Sequence, residues 1–255
     1  MPPQRELKKP VVAVRRAARI LRYLGRRETP AGVNLIARDL DIIPSTCLHI
    51  LRTLTQESLV AFNSTTKQYR LGHAVLGLAR DSLASSTFVQ EARPVLKDLA
   101  ERHGVTVTAA ELDSNEHMVV VVLSRAPQNL SIHVDVGSRF PALISASGRC
   151  YAALSGWPES TLAEKFSALQ WENPPEYETW RAEIAVAGRN GYAIDYGNYL
   201  RGFLVTAAPI INREGEATRA IATVSFLDQL STNQVLELAN NVKVAADRLT
   251  LEQFH

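Results

Sequence analysis

The chain of 255 residues is long enough for two compact domains, and its 46% hydrophobic and 21% charged residues are an ordinary globular balance. No apolar run approaches the roughly 18–20 residues that cross a bilayer, and the first ten residues lack a secretory signal, so we expect a soluble cytoplasmic protein without a membrane partner. The two cysteines lie far apart, which excludes a disulfide framework and a CxxC metal or redox pair.

Positive charge is concentrated in the first third of the chain. Residues 1–80 contain 14 lysines and arginines against 5 acidic residues, a net charge of +9, whereas residues 81–255 contain 14 against 21, a net charge of −7. This division predicts that the N-terminal third binds a polyanion and that the rest does not.

The predicted elements of the basic third follow the order helix, helix, helix, hairpin. After a basic arm at residues 1–10, apolar spacing predicts helices over 12–25, 35–40 and 44–58, with Pro44 in the first turn of the third. Two short β-rich runs then flank the turn-forming residues 63–67 and predict a hairpin. This order is typical of a winged helix-turn-helix domain, which we place at residues 11–72.

The rest of the chain mixes strands with helices. Residues 73–87 predict a linker helix, and residues 88–255 a second domain. Strands are predicted at 105–112, 117–124, 130–136, 203–210 and 218–226, a loop at 137–141, and helices at 88–103, 147–155, 159–169, 176–189 and 232–251. Because neighbouring strands are joined as hairpins, the domain is expected to be α+β with a mainly antiparallel sheet.

The third helix of the basic domain has an apolar and a polar face. At 100° per residue, Cys47, Ile50, Leu51 and Leu54 share one sector, which is expected to pack inward. The opposite side and its flank present polar groups: Ser45, Thr46, His49, Arg52, Thr53 and Gln56. An ordinary solvated helix face would have the same composition, but the neighbouring hairpin and the basic charge favour contact with double-stranded DNA.

In winged helix-turn-helix domains the N-terminal half of the second helix of the motif enters the major groove, and the wing lies over the neighbouring backbone. The predicted groove contacts are Ser45, Thr46, His49 and Arg52. The predicted phosphate contacts are Lys67, Gln68, Arg70, Arg15 and Arg16. Phosphate contacts set affinity and its salt dependence rather than sequence preference.

Three stretches of the chain resemble the IclR-type transcriptional regulators. The first combines Pro44-Ser45-Thr46 at the recognition helix with Tyr69-Arg70-Leu71-Gly72 after the wing. The others are "VGSRFPALISASGRCYAAL" at 136–154 and "GYAIDYGNYLRGFLVTAAPI" at 191–210. The resemblance spans nearly the whole chain, with the motifs in order and correctly spaced. It implies a winged helix, a linker helix and a GAF-like α/β effector-binding domain, in a homodimer or dimer of dimers that regulates catabolic genes from a DNA operator.

The resemblance also implies an effector cleft in the second domain. Its lining would come from the turn Ser145-Ala146-Ser147-Gly148, from Asp195 and from Val205. This chain departs from the family pattern where a histidine is replaced by Leu143, an acidic pair by Gly197-Asn198, and a cysteine of some members by Val205. The cleft is therefore expected to be less polar than one for a very small acid.

The hypothesis for the effector is an aromatic or medium-sized carboxylic acid. Ser145 and Ser147, beside the N–H groups of a helix N-terminus, would hold the carboxylate. The apolar body would be surrounded by Phe140, Leu143, Val205 and Met118. Alternatively, Ser145 and Ser147 cap the helix, Asp195 stabilises a turn, and Arg139 and Arg201 are structural or interfacial.

Catalysis is not predicted. The chain has no G-x-S-x-G elbow, H-E-x-x-H, G-x-x-x-x-G-K or G-x-G-x-x-G motif, and its six histidines have no metal-ligand spacing on a helix, so neither a cofactor nor a metal is expected. A second alternative is a DNA-binding protein whose C-terminal domain only oligomerises. Many family members have arginine where this chain has His49, so either a different base is recognised there or the contact has moved to Arg52.

Overall fold

The computed structural model describes residues 11–126 and 134–252. The chain divides into two compact units, and the division falls between Ser85 and Ser86. The predicted basic arm at 1–10 lies outside the described residues. Within the described ranges, no helix is long and apolar enough to cross a membrane.

The first unit is a winged helix-turn-helix. Its elements are α1 (Val12–Gly25), β1 (Ala31–Gly32), α2 (Val33–Asp39), α3 (Pro44–Gln56), β2 (Val60–Asn63), β3 (Gln68–Leu71) and α4 (Ala74–Ala84). The strands form a small antiparallel sheet in the order β1-β3-β2. Strand β1 was not predicted, because two residues are too short to show any alternation of apolar and polar positions.

One apolar core holds the helices and the sheet of this unit together. Ile20 of α1, Ile36 of α2 and Leu51 of α3 are completely buried and pack with Tyr69 of the wing. Burial of each such aliphatic side chain contributes roughly 1.5–3 kcal/mol. The turn between α2 and α3 passes through Asp41 at φ 50°, a left-handed conformation that aspartate tolerates better than most residues. The core thereby fixes the orientation of α3 relative to α1 and α2.

The second unit contains one large sheet. Its elements are α5 (Thr87–His103), β4 (Thr106–Leu112), β5 (His117–Arg125), β6 (Arg139–Pro141), α6 (Ser145–Leu154), α7 (Glu159–Ser167), α8 (Tyr177–Asn190), β7 (Ala193–Tyr196), β8 (Phe203–Ile211), β9 (Ala217–Phe226) and α9 (Thr232–Glu252). The six strands are ordered β6-β5-β4-β9-β8-β7, and every neighbouring pair is antiparallel. Helices α5 and α9 pack on one face and α6 on the other, with α8 against α6. The α+β fold with an antiparallel sheet is therefore confirmed.

Two edge strands differ from the prediction. Of the strand predicted at 130–136, residues 130–133 lie outside the described part of the chain, and residues 134–136 are not in a strand. The segment 137–141, predicted as a loop, instead contains β6, which pairs with β5 between Val119 and Arg139. Strand β7 was also unpredicted; it pairs only with β8 and forms the other edge of the sheet.

Candidate DNA-binding surface and ligand cavity

The polar face of α3 is directed to solvent. Ser45, His49 and Arg52 are exposed and Thr46 is half-buried, whereas Cys47 on the opposite face is completely buried. The helix begins with Pro44 and has no acidic residue in its first turn, so nothing in that turn repels a phosphate. The predicted groove contacts thus share one accessible surface at the N-terminal half of the helix.

The wing is a hairpin whose turn is stabilised by its own side chains. The carboxamide oxygen of Asn63 accepts hydrogen bonds from the backbone N–H groups of Thr65 and Thr66 at 2.9 and 3.0 Å. Lys67 follows in the left-handed region at φ 56° and is exposed. Burial raises the pKa of the Tyr69 phenol, and the positive charge of Arg52 opposes this shift. Arg52 of α3 therefore lies close to the wing, and the two elements form one surface.

Within residues 11–126 and 134–252, no carboxylate pairs with the cations of this surface. Among residues 11–85, the ion pairs found join Arg38 and Arg80 to the aspartates that follow them in sequence. In the described part of the second unit, by contrast, most lysines and arginines pair with carboxylates. The unneutralised side chains predicted to meet DNA are Arg15, Arg16, Arg52, Lys67 and Arg70. The accessible positive charge of the chain is thus gathered on the winged-helix unit, as phosphate binding requires.

A cavity of about 300 Å³ lies beside α6 in the second unit. Its floor is one face of the sheet: Thr108 of β4 lies across from Ala222 of β9, and Val224 of β9 lies across from Val205 of β8. These residues share a face because side chains alternate along a strand. The rest of the lining consists of Val134, Ser138, Arg139, Phe140, Ser145, Ser147, Tyr199 and Leu200. The walls are mostly apolar, and α6 contributes two of the polar groups, Ser145 and Ser147.

The N-terminus of α6 supplies these two serines. Ser145 adopts φ 62°, which is unusual for a residue with a side chain, and it is 4% exposed. Its hydroxyl oxygen has no hydrogen-bond partner among the described residues, and α6 has no side-chain cap. A β-carbon added at Gly148 would lie 2.0 Å from the backbone of Leu143, so only glycine permits this tight turn. The turn leaves an unpaired hydroxyl beside the free N–H groups of the helix.

Four of the predicted effector contacts line this cavity: Phe140, Ser145, Ser147 and Val205. The other four predicted contacts do not line it. Met118 is paired with Phe140 and packs with Ala110, Ala142 and Ala220 beside the cavity, without lining it. Leu143 packs with Trp180 and other residues of α8, and Ala146 packs between α6 and the sheet.

The fourth position, Asp195, is 1% exposed and already engaged. One carboxylate oxygen accepts a hydrogen bond from the backbone N–H of Asn198 at 2.7 Å, which stabilises the turn after β7. The other lies 3.3 Å from a guanidinium nitrogen of Arg149. These contacts agree with the alternative in which Asp195 stabilises a turn, and both carboxylate oxygens are already engaged.

Arg149 was missed by sequence reasoning. It is 1% exposed, and its guanidinium donates to Glu183 at 2.7 Å, to the backbone carbonyl of Ser145 at 2.9 Å and to the carboxamide oxygen of Asn198 at 2.8 Å. One signal in the sequence could have identified it. Arg149 is the one charged residue of α6, whose other residues are small, apolar or hydroxyl-bearing. Cys150, the next residue of α6, is also buried, and its burial raises the pKa of its thiol to about 12.

The fold and these two surfaces define the class of protein: a DNA-binding transcriptional regulator with a separate ligand-binding domain. Residues 13–64 match the IclR helix-turn-helix domain, and residues 81–251 match the bacterial transcriptional regulator IclR C-terminal domain. The chain therefore belongs to the IclR family, and the resemblance seen in the sequence is confirmed.

Relatives and solved structures agree with this assignment. The chain is 24% identical over 239 residues to a probable transcriptional regulator, SauR, of Cupriavidus necator, covering 92% of this chain and 94% of that one. It is 25% identical over 233 residues to the regulator XynR of Escherichia coli, covering 90% and 91%. The relatives are regulators and repressors, so the chain is not an enzyme.

Two crystal structures share the fold over almost the whole chain. An IclR-family regulator from Alicyclobacillus acidocaldarius has a TM-score of 0.85 at 23% identity, covering 96% of this chain and 99% of that one. An IclR homolog from Microbacterium hydrocarbonoxydans, complexed with 4-hydroxybenzoate, has a TM-score of 0.75 at 20% identity, covering 94% and 99%.

Proposed function

We propose that this regulator binds its operator in a sequence-specific way and that a small carboxylic acid, aromatic or of medium size, controls this binding from the cavity of the second unit. The acid would come from a catabolic pathway whose genes the protein regulates in the cytoplasm. The observation that carries the proposal is the combination of apolar walls with a buried hydroxyl at a helix N-terminus, Ser145 Oγ, which has no hydrogen-bond partner in the described part of the chain.

The chemistry of the cavity fits such an acid. A carboxylate at the N-terminus of α6 would accept hydrogen bonds from first-turn N–H groups and meet the positive end of the helix dipole. Phe140, Val205 and Val224 would cover the apolar body. The volume of about 300 Å³ is at the lower end of the roughly 300–1,000 Å³ usual for ligand sites, which suits a compact molecule. The relative complexed with 4-hydroxybenzoate supports the same class of ligand.

On the DNA side, Ser45, Thr46, His49 and Arg52 would contact base edges, with Arg52 able to make a bidentate pair with guanine. The wing and α1 would hold phosphates through Lys67, Gln68, Arg70, Arg15 and Arg16. A homodimer, or a dimer of dimers, would place two such surfaces on the half-sites of a palindromic operator.

Isothermal titration calorimetry tests the proposed ligand class. The full chain is titrated with 4-hydroxybenzoate, benzoate, phenylacetate and medium-chain carboxylic acids, and in parallel with pyruvate and glyoxylate as short keto acids. Saturable binding of at least one acid of the first group, and weak or no binding of the second, is expected. Tight binding of the short keto acids alone would refute the proposed ligand class.

A further inference from the structure

One short segment forms part of the cavity wall. Residues 198–201, here called the capping segment, lie between Gly197 at φ 77° and Gly202 at φ 80°. Tyr199 and Leu200 of this segment line the cavity. Glycine enters the left-handed region at little cost, so the two ends are suited to act as hinges. A shift of the capping segment would therefore change the width of the cavity.

The segment is fastened from the inside through Asn198. Its carboxamide oxygen accepts a hydrogen bond of 2.8 Å from the guanidinium of Arg149, and its backbone N–H donates to Asp195 at 2.7 Å. Arg149 and Asp195 are each 1% exposed and lie 3.3 Å apart, so the groups that hold Asn198 on this side are buried. Asn198 therefore connects the capping segment to the buried ion pair of Arg149 and Asp195.

Outer contacts hold the same segment less firmly. The amide of Asn198 donates to the carbonyl of Asn173 at 3.2 Å, and the backbone N–H of Arg201 donates to the exposed carboxylate of Glu172 at 2.9 Å. Contacts at the surface exchange readily with water and contribute little. Of the two hydrogen bonds that the carboxamide of Asn198 makes, the one from Arg149 is the shorter, at 2.8 Å, and has a charged donor.

Arg149 also holds the opposite wall of the cavity. Its guanidinium donates to the carbonyl oxygen of Ser145 at 2.9 Å, and Ser145 is the residue of this turn that adopts a positive φ. The planar group with five donors can hold both walls at fixed geometry, which a lysine ammonium cannot do. One side chain outside the cavity thus sets the distance between the turn of α6 and the capping segment.

We propose that Arg149 is a positioning residue for the effector site: through Asn198 it holds the capping segment in its place in the cavity wall, and loss of that contact lets the segment move and widens access to the cavity. The proposal rests on the proposed function only in taking this cavity as the effector site. Arg149 does not line the cavity and is not a ligand contact.

The test measures access to the cavity without any effector. Val205 is 8% exposed and lines the cavity, so a Val205→Cys protein carries a thiol inside it. The rate of its reaction with methyl methanethiosulfonate is followed by peptide mass spectrometry. The same rate is measured after adding Asn198→Ala, Arg149→Lys or, as a control at the exposed end of α8, Asn190→Ala. Arg149→Lys keeps a positive charge beside Asp195, whereas removal of the charge would leave a buried carboxylate uncompensated and threaten folding.

Asn198→Ala and Arg149→Lys both remove the hydrogen bond between residues 149 and 198. Each is expected to raise the reaction rate about tenfold, the change in open population that follows from losing ~1.4 kcal/mol, while Asn190→Ala leaves it unchanged. The native thiol of Cys150, 2% exposed in the same unit, should stay unreactive in all variants. Equal rates in all four proteins, or a parallel rise at Cys150 that reveals general unfolding, would overturn the proposal. Because no effector is present, this outcome is independent of the calorimetric test of the ligand class.

Discussion

Replacement of Ser145 by alanine tests the ligand cavity, because it should stabilise the ligand-free protein and weaken its binding of the acid. The hydroxyl oxygen of Ser145 is buried without a partner among the described residues, and such a group costs about 1–3 kcal/mol in the free protein. Alanine keeps the β-carbon, so the strain of the backbone at φ 62° is almost unchanged. Ser145→Ala is therefore expected to stabilise the ligand-free protein by about 1 kcal/mol or more.

The same change should weaken effector binding. A hydrogen bond to a charged group contributes about 1.5–3 kcal/mol, so loss of the hydroxyl is expected to raise the Kd of the carboxylic acid by roughly tenfold or more. Urea unfolding of the free protein measures the first effect, and calorimetric titration with the acid that binds the unaltered protein measures the second.

Ser225 provides the matched control for both measurements. Its hydroxyl is also buried and unpartnered within the described chain, but it lies on β9 outside the cavity lining. Ser225→Ala should stabilise the free protein and leave the Kd of the acid unchanged. The reasoning fails if Ser145→Ala destabilises the free protein and binds the acid as tightly as before, because Ser145 then serves the structure of the helix terminus alone.

Further predictions concern the DNA surface and one buried thiol. Arg52→Ala should weaken specific DNA binding by about 1–3 kcal/mol and relax preference at one base pair, whereas equal loss on random duplex would show a phosphate contact instead. His49→Arg should change the base preferred at one operator position in a selection from random sequences; an unchanged consensus would show that His49 contacts no base. Lys67→Asn, which tolerates the left-handed φ of 56°, should lower the salt slope of binding by about one without altering sequence preference, and Lys97→Gln in α5 should not. Because burial raises the pKa of Cys150 to about 12, its alkylation by iodoacetamide at pH 9 should proceed only at the rate of unfolding; rapid alkylation of the folded protein would contradict this burial.

The fold was largely predictable because most of its elements are set by local patterns. The bounds of α1 were predicted as 12–25, Pro44 marks the start of α3, and the turn residues 63–67 mark the wing. The edge strands were not predictable in this way. Strand β6 has three residues and contains Pro141, and β7 has four, so each depends on its single pairing partner rather than on a sequence pattern of its own.

The cavity was predictable only in part, because its lining depends on register and on the direction of tight turns. Met118 and Leu143 are as apolar as Phe140, but Met118 is covered by Ala110, Ala142 and Ala220, and Leu143 packs with Trp180. The role of Arg149 was hidden for the same reason. Its partners Glu183, Asp195 and Asn198 are distant in sequence and meet only in the folded unit.

The most direct test of the account is the affinity of the full chain for its own upstream DNA, measured by fluorescence anisotropy with and without each acid of the panel. Coupling between two binding sites is typically 1–3 kcal/mol, so an acid that fills the cavity should change the Kd for operator DNA about 5–150-fold. Binding to a random duplex should be weaker and should not respond in the same way. An operator Kd that stays the same at saturating concentrations of every acid, or an equal affinity for upstream and random DNA, would contradict the account.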